Sequence, residues 1–128
     1  KEHPDRFFNL GICEQSIIGI AEGAALQGLK PWVYTITPFL IERPFEQVKL
    51  DIDQQKANVN LVGFADYPSL GPTHSELDAK KLMLLMKNTK SFYPKNGLET
   101  EKFVKKTYKI NGPTFISLKN DIDLNKNW

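Results

Sequence analysis

Cysteine is nearly absent from this sequence: Cys13 stands alone, so the chain has no internal disulfide and suits a reducing compartment. Histidine is as sparse, with only His3 and His74, and no His/Cys cluster has the spacing of a metal site. No apolar run approaches the roughly 18 residues of a membrane-spanning helix, and Lys1-Glu2-His3-Pro4 has no signal-peptide character. An excess of one charge is missing too. Seventeen basic against fifteen acidic residues leave +2, which makes no bulk electrostatic case for nucleic acid or a membrane surface. Neither a P-loop nor a G-x-G-x-x-G phosphate cradle occurs. What these absences leave is a cytoplasmic, soluble single domain, 41% hydrophobic and 25% charged over 128 residues.

The stretch that organises the rest is Arg6–Gly28. Phe7, Phe8 and Leu10 form a compact apolar run ending at Gly11, which predicts a short strand over Arg6–Leu10. A helix then runs from Ile12 or Cys13 to Leu26, with Gly28 as its carboxyl-terminal stop. Glu14 falls in the first helical turn, at a strand-to-helix junction, the edge of an open α/β sheet where ligands bind. The helix is apolar around most of its circumference and carries Gly19 and Gly23 in its interior. That pattern predicts burial on two sides, one against its own sheet and one against another subunit or domain.

Further along, strands are expected at Pro31–Ile36, Val59–Ala65, Lys90–Tyr93 and Thr114–Leu118. Pro38 starts an element whose helix is expected over Ile41–Ile52 with a tail to Gln55; further helices are expected from Ser75–Asp78 to about Lys87 and over Leu98–Tyr108. Asp66–His74 is a loop rich in Pro and Gly, too long for a plain connector. Five strands alternating with four helices call for an α/β fold: a three-layer open sheet, mainly parallel, with helices on both faces.

Arg6-Phe7-Phe8-Asn9-Leu10-Gly11-Ile12-Cys13-Glu14-Gln15, followed by Gly19-Ile20-Ala21-Glu22-Gly23, resembles the pyrimidine-binding domain of transketolase-type thiamine diphosphate enzymes. The family pattern there is R-F-x-x-x-G-I-x-E-[QH] with G-x-A-x-G close behind. The resemblance implies that Glu14 contacts N1′ of the cofactor's aminopyrimidine. Without it, Glu14 would read as a first-turn acid complementing the helix dipole. Over the whole chain the resemblance implies one domain, residues 1–128, preceded in the family by a further strand and helix that this sequence lacks.

Three more segments extend it. Thr37-Pro38-Phe39-Leu40-Ile41-Glu42-Arg43-Pro44-Phe45-Glu46-Gln47 is similar to the family's T-F-x-x-x-R-a-x-[DE]-Q, whose Phe stacks on the aminopyrimidine; Phe39 takes that place. Where many members carry a second aromatic, three residues earlier, this chain has Ile36, which covers a ring without stacking; Tyr34 is a weak substitute. Gly71-Pro72-Thr73-His74 resembles the D-G-P-T-H loop, which implies that His74 reaches substrate oxygens and shuttles protons. Leu70 replaces the Asp of sugar-using transketolases, a departure at the donor-reading position. Gly112–Leu118 resembles the closing G-P-x-y-i-R-l strand, with Lys119 and Arg43 as candidate phosphate-binding cations.

The cofactor implied is thiamine diphosphate with Mg²⁺. The family binds the diphosphate and metal through a G-D-G…N motif on a different domain, and that motif is absent here. The resemblance therefore implies a diphosphate-binding partner domain or subunit, in a homodimer or heterotetramer. The activity it implies is transfer of a two-carbon ketol unit from a ketose donor to an aldose acceptor. Deoxyxylulose-phosphate synthases and 2-oxo acid dehydrogenase beta subunits share the pattern, and a non-catalytic scaffold is a third reading.

Overall fold

The computed structural model describes residues 2–65 and 68–120. Four parallel strands form one sheet: β1 (Trp32–Ile36), β2 (Asn60–Phe64), β3 (Lys90–Phe92) and β4 (Thr114–Leu118), in the order β1-β2-β4-β3. Trp32 pairs with Asn60, Asn60 with Thr114, and Lys90 with Thr114, so all four strands start at one level. Leu61, Phe115 and Ile116 are fully buried, as strands covered on both faces require.

The strand order dictates the layers. The chain advances from β1 to β2 and on to β3, then reverses to insert β4. Right-handed crossovers therefore put the last helix on the face opposite the earlier ones. That last helix is α4 (Gly97–Lys109), which lays Phe103 against Phe92 of β3 at 5.1 Å between ring centroids. Asn96 caps it through Glu99 N, while Glu99 Oε2 accepts from Lys95 N. On the other face, α1 (Glu14–Leu26) packs on β1 and on α2, a helical run over residues 38–54. The core between them is Ile18, Ala21, Leu40, Ile41, Val48, Ile52 and Leu61.

Two buried or half-buried polar groups tie distant segments together. The Asp53 carboxylate accepts hydrogen bonds from Asn88 N, Thr89 N and Thr89 Oγ1 at 2.7–2.9 Å. Lys30, in the turn after α1, donates its ammonium to the carbonyls of Thr107, Tyr108 and Ile110 at the end of α4. Such a cation satisfies carbonyls that a helix terminus leaves without partners. Burial holds the Lys30 ammonium below the usual lysine range.

Three sequence expectations change. Arg6–Leu10 is not a strand: Pro4–Arg6 forms a single 3₁₀ turn and residues 7–13 have no regular structure. A strand needs a ladder partner, and none of the four described strands pairs with this segment, whatever its apolar pattern. The sheet therefore has four strands and not five. The second helical run begins at Pro38, where the sequence places the start of the element, but it is partly π-helical, with Arg43 N bonded to Pro38 O at 2.9 Å. The next helix, α3, is short (Ala79–Met83); Asp78 caps it, and single turns carry the chain on to Met86.

For α1 the sequence predicts one side against its own sheet and the other against another subunit or domain. The helix ends as expected, with Gly28 at φ +85°, and within this chain it buries one side only. Glu14, Ile18 and Ala21 face inward, whereas Ile12 just before the helix is 89% exposed and Ile20 and Leu26 face outward. Cβ atoms built on Gly19 and Gly23 would meet nothing within 4 Å, so no backbone among the described residues needs those glycines.

Candidate functional site

The carboxyl ends of β1 and β2 carry the segments that the sequence marked. α1 runs back from β1, so its first residue, Glu14, sits at that same end of the sheet. The loop before it is braced by Asn9 Oδ1, which accepts from Gly11 N at 3.0 Å, and by Cys13 Sγ, which donates to Leu10 O. The Glu14 side chain is only 10% exposed. Its Oε1 accepts from Arg43 Nη1 at 2.8 Å, and its Oε2 accepts no hydrogen bond from a described residue.

Phe39 and Arg43 come from the helical run after β1, one turn apart on one face. The Arg43 guanidinium lies over the Phe39 ring, 4.1 Å from its centroid. The His74 imidazole also meets Phe39, in a T-shaped arrangement with 4.9 Å between centroids and 71° between planes. His74 ends a 3₁₀ turn over Pro72–His74, held by His74 N to Gly71 O, with Thr73 Oγ1 3.0 Å from Nδ1. That turn needs Gly71 at φ +91°, which only glycine adopts without strain. Glu42 ties the loop to the same helical run, accepting from Leu77 N at 2.7 Å.

Glu14, Arg43, Phe39 and His74 thus form one continuous string of contacts. Ile36 ends β1, half-buried, three residues before Phe39. Lys119 belongs elsewhere. It is exposed and lines a separate cavity of about 610 Å³ with Glu76, Tyr93, Ser117 and Asn120. Arg43, a candidate for phosphate in the sequence, is engaged with Glu14 and Phe39. Tyr34 is exposed on β1, with no place in the string.

One supporting pair went unnoticed in the sequence. Thr37, fully buried, opens the helical run that carries Phe39 and Arg43, and it lies against Gly63 of β2. A Cβ on Gly63 would come within 2.5 Å of Thr37 Oγ1 and 3.2 Å of Thr37 Cα. The one available signal was a glycine inside an otherwise apolar strand, which marks close backbone approach.

Residues 1–121 match the family described as "Transketolase, pyrimidine binding domain". The chain belongs to that transketolase family. It is 38% identical over 121 residues to one of the subunits of the apulose-4-phosphate transketolase of Actinobacillus succinogenes, covering 92% of this chain and 39% of that protein. It is 32% identical to the 1-deoxy-D-xylulose-5-phosphate synthase of Thermus thermophilus, covering 94% of this chain and 20% of that one. The chain therefore spans about two-fifths or less of these relatives. A solved structure titled "Split gene transketolase, inactive beta4 tetramer" superposes with a TM-score of 0.82 at 33% identity, over 91% of this chain and 38% of that one. The transketolase of Campylobacter jejuni shares the fold, at a TM-score of 0.77 and 22% identity, over 88% of this chain and 18% of that one.

A flat heteroaromatic ring is well held where a shielded polar group stands beside an aromatic floor. The transketolase-family chain described here has both, and a flat N–H-donating group, the Arg43 guanidinium, already fits between them. Among the described residues no three His, Cys, Asp or Glu side chains converge as a metal site, and no helix is long and apolar enough to cross a membrane.

Proposed function

We propose that this chain is the pyrimidine-binding half of a thiamine diphosphate-dependent, transketolase-like transferase, working with a partner that binds the diphosphate and Mg²⁺. The observation that carries the reading is the string Glu14–Arg43–Phe39–His74, assembled from three separate segments at one end of the sheet. When bound, thiamine diphosphate supplies a carbon nucleophile for cleaving and forming carbon–carbon bonds. Glu14 would hold the ring's N1′ and keep it in the proton-relaying form, which needs a carboxylate shielded from water. Phe39 would stack on the ring and Ile36 would cover its edge. His74, a half-buried loop imidazole beside that ring, would hold a substrate oxygen and pass a proton to or from it.

Transfer of a two-carbon ketol unit from a ketose to an aldose is the reaction this arrangement supports best. A relative named as a transketolase subunit and a neighbour titled as a split-gene transketolase favour a partner subunit encoded separately. Leu70, exposed in the turn before His74, favours a donor other than a standard sugar and keeps a deoxyxylulose-phosphate synthase-like reaction as the second reading. Glu14→Gln in the assembled enzyme tests the proposal. Exchange of the bound cofactor's reactive C–H, followed by NMR, should fall by orders of magnitude while assembly and melting temperature barely change. Normal exchange in that variant would refute the assignment.

A further inference from the structure

We propose that Arg43 is a placeholder for the cofactor ring: its guanidinium fills the gap between Glu14 and Phe39 while the ring is absent, and leaves when the ring enters. The inference rests on the cofactor reading above. Its geometric basis is that one flat group makes both contacts. Nη1 donates to Glu14 Oε1 at 2.8 Å, and the same guanidinium covers the Phe39 face at 4.1 Å. A pyrimidine stacked on that face and bonded to that carboxylate would need the same volume, so the two occupants exclude each other.

Chemistry points the same way. Guanidinium and an aminopyrimidine that carries a proton at N1′ are both planar, both present N–H donors in their plane, and both stack on aromatic faces. The exchange also answers a physical need. Glu14 is nine-tenths buried, and a carboxylate left there without a partner is costly. Arg43 keeps the site formed until the ring takes over its two contacts. Departure is easy on the other side of the exchange. The Arg43 side chain is 36% exposed, and it stands where the helical run breaks at Pro44 (φ −96°, ψ 34°), with open solvent as its alternative. The apparent affinity for the ring then scales with the fraction of molecules in which that side chain is out.

The test uses the full chain and a 4-aminopyrimidine lacking thiazolium and diphosphate, titrated by NMR, together with melting temperatures. Arg43→Ala should bind the probe about fivefold or more tighter than the unsubstituted chain, as the open fraction approaches unity. Its melting temperature should fall, because Glu14 loses its partner. Arg43→Gln, which keeps a donor but no cation over the ring, should lie between. A rise in affinity with a fall in stability is the signature of a placeholder, since a merely structural bridge would lower both. Unchanged or weaker probe binding by both variants would overturn the proposal. In that event, probe binding that Phe39→Ala abolishes would still support the pyrimidine site itself. No binding by any of these proteins would sink both.

Discussion

Glu14 and Asp53 are two buried carboxylates that the fold treats in opposite ways. Asp53 is held by three donors, its Oδ1 receiving two backbone N–H groups and a hydroxyl, so it serves the fold by fixing the turn before β3. Glu14 meets a single side chain that can leave. A group held that loosely in a shielded place is suited to taking up a ligand. Asp53→Ala should accordingly cost about 2–3 kcal/mol in urea denaturation, because three donors lose their acceptor. Asp53→Asn should cost less, since its amide oxygen still accepts. Both should leave pyrimidine binding near normal; a large loss of binding in Asp53→Asn would show that the turn shapes the site directly.

Among the elements, α2, the helical run over residues 38–54, matters most, since it delivers Phe39 and Arg43 together and its start is pressed onto β2. Gly63→Ala should therefore do more than loosen a strand. Its Cβ would collide with Thr37 Oγ1 and crowd the Thr37 backbone, so a loss of about 1–3 kcal/mol of stability is expected. Weakened ring binding should accompany it, read from the melting curve and the titration of the same variant. A variant that binds normally would uncouple the helix start from the site. Helix and strand existence was legible in the sequence wherever the apolar period was long, as in α1, α4 and β4. Glu14, Phe39 and His74 were legible because each sits in a motif. Their meeting was not, because it depends on strand order, and the pairing of Arg43 with Glu14 spans 29 residues of sequence. The misplaced strand over Arg6–Leu10 failed for the same reason: its fate depends on a neighbour that local pattern does not encode.

At the scale of the molecule, the amino-terminal portion exposes apolar side chains that no described residue covers. Phe8 is 75% exposed, Ile12 89% and Leu26 65%, with Ile20, Leu29 and Trp32 open as well. Exposed apolar side chains in this number are suited to contact with another protein. The pyrimidine half should accordingly bind thiamine diphosphate and Mg²⁺ more weakly than micromolar by itself, in titration calorimetry, and tighten sharply once a diphosphate-binding partner covers that surface. Micromolar binding by the isolated chain would contradict the need for a partner. The Lys30 ammonium adds a different consequence. By gripping three carbonyls at the end of α4 from the turn after α1, it links layers on opposite sides of the sheet. Fraying of α4 and loosening of that turn are then one cooperative opening, so the amides of both exchange with solvent at a common rate, as a single unit of local unfolding.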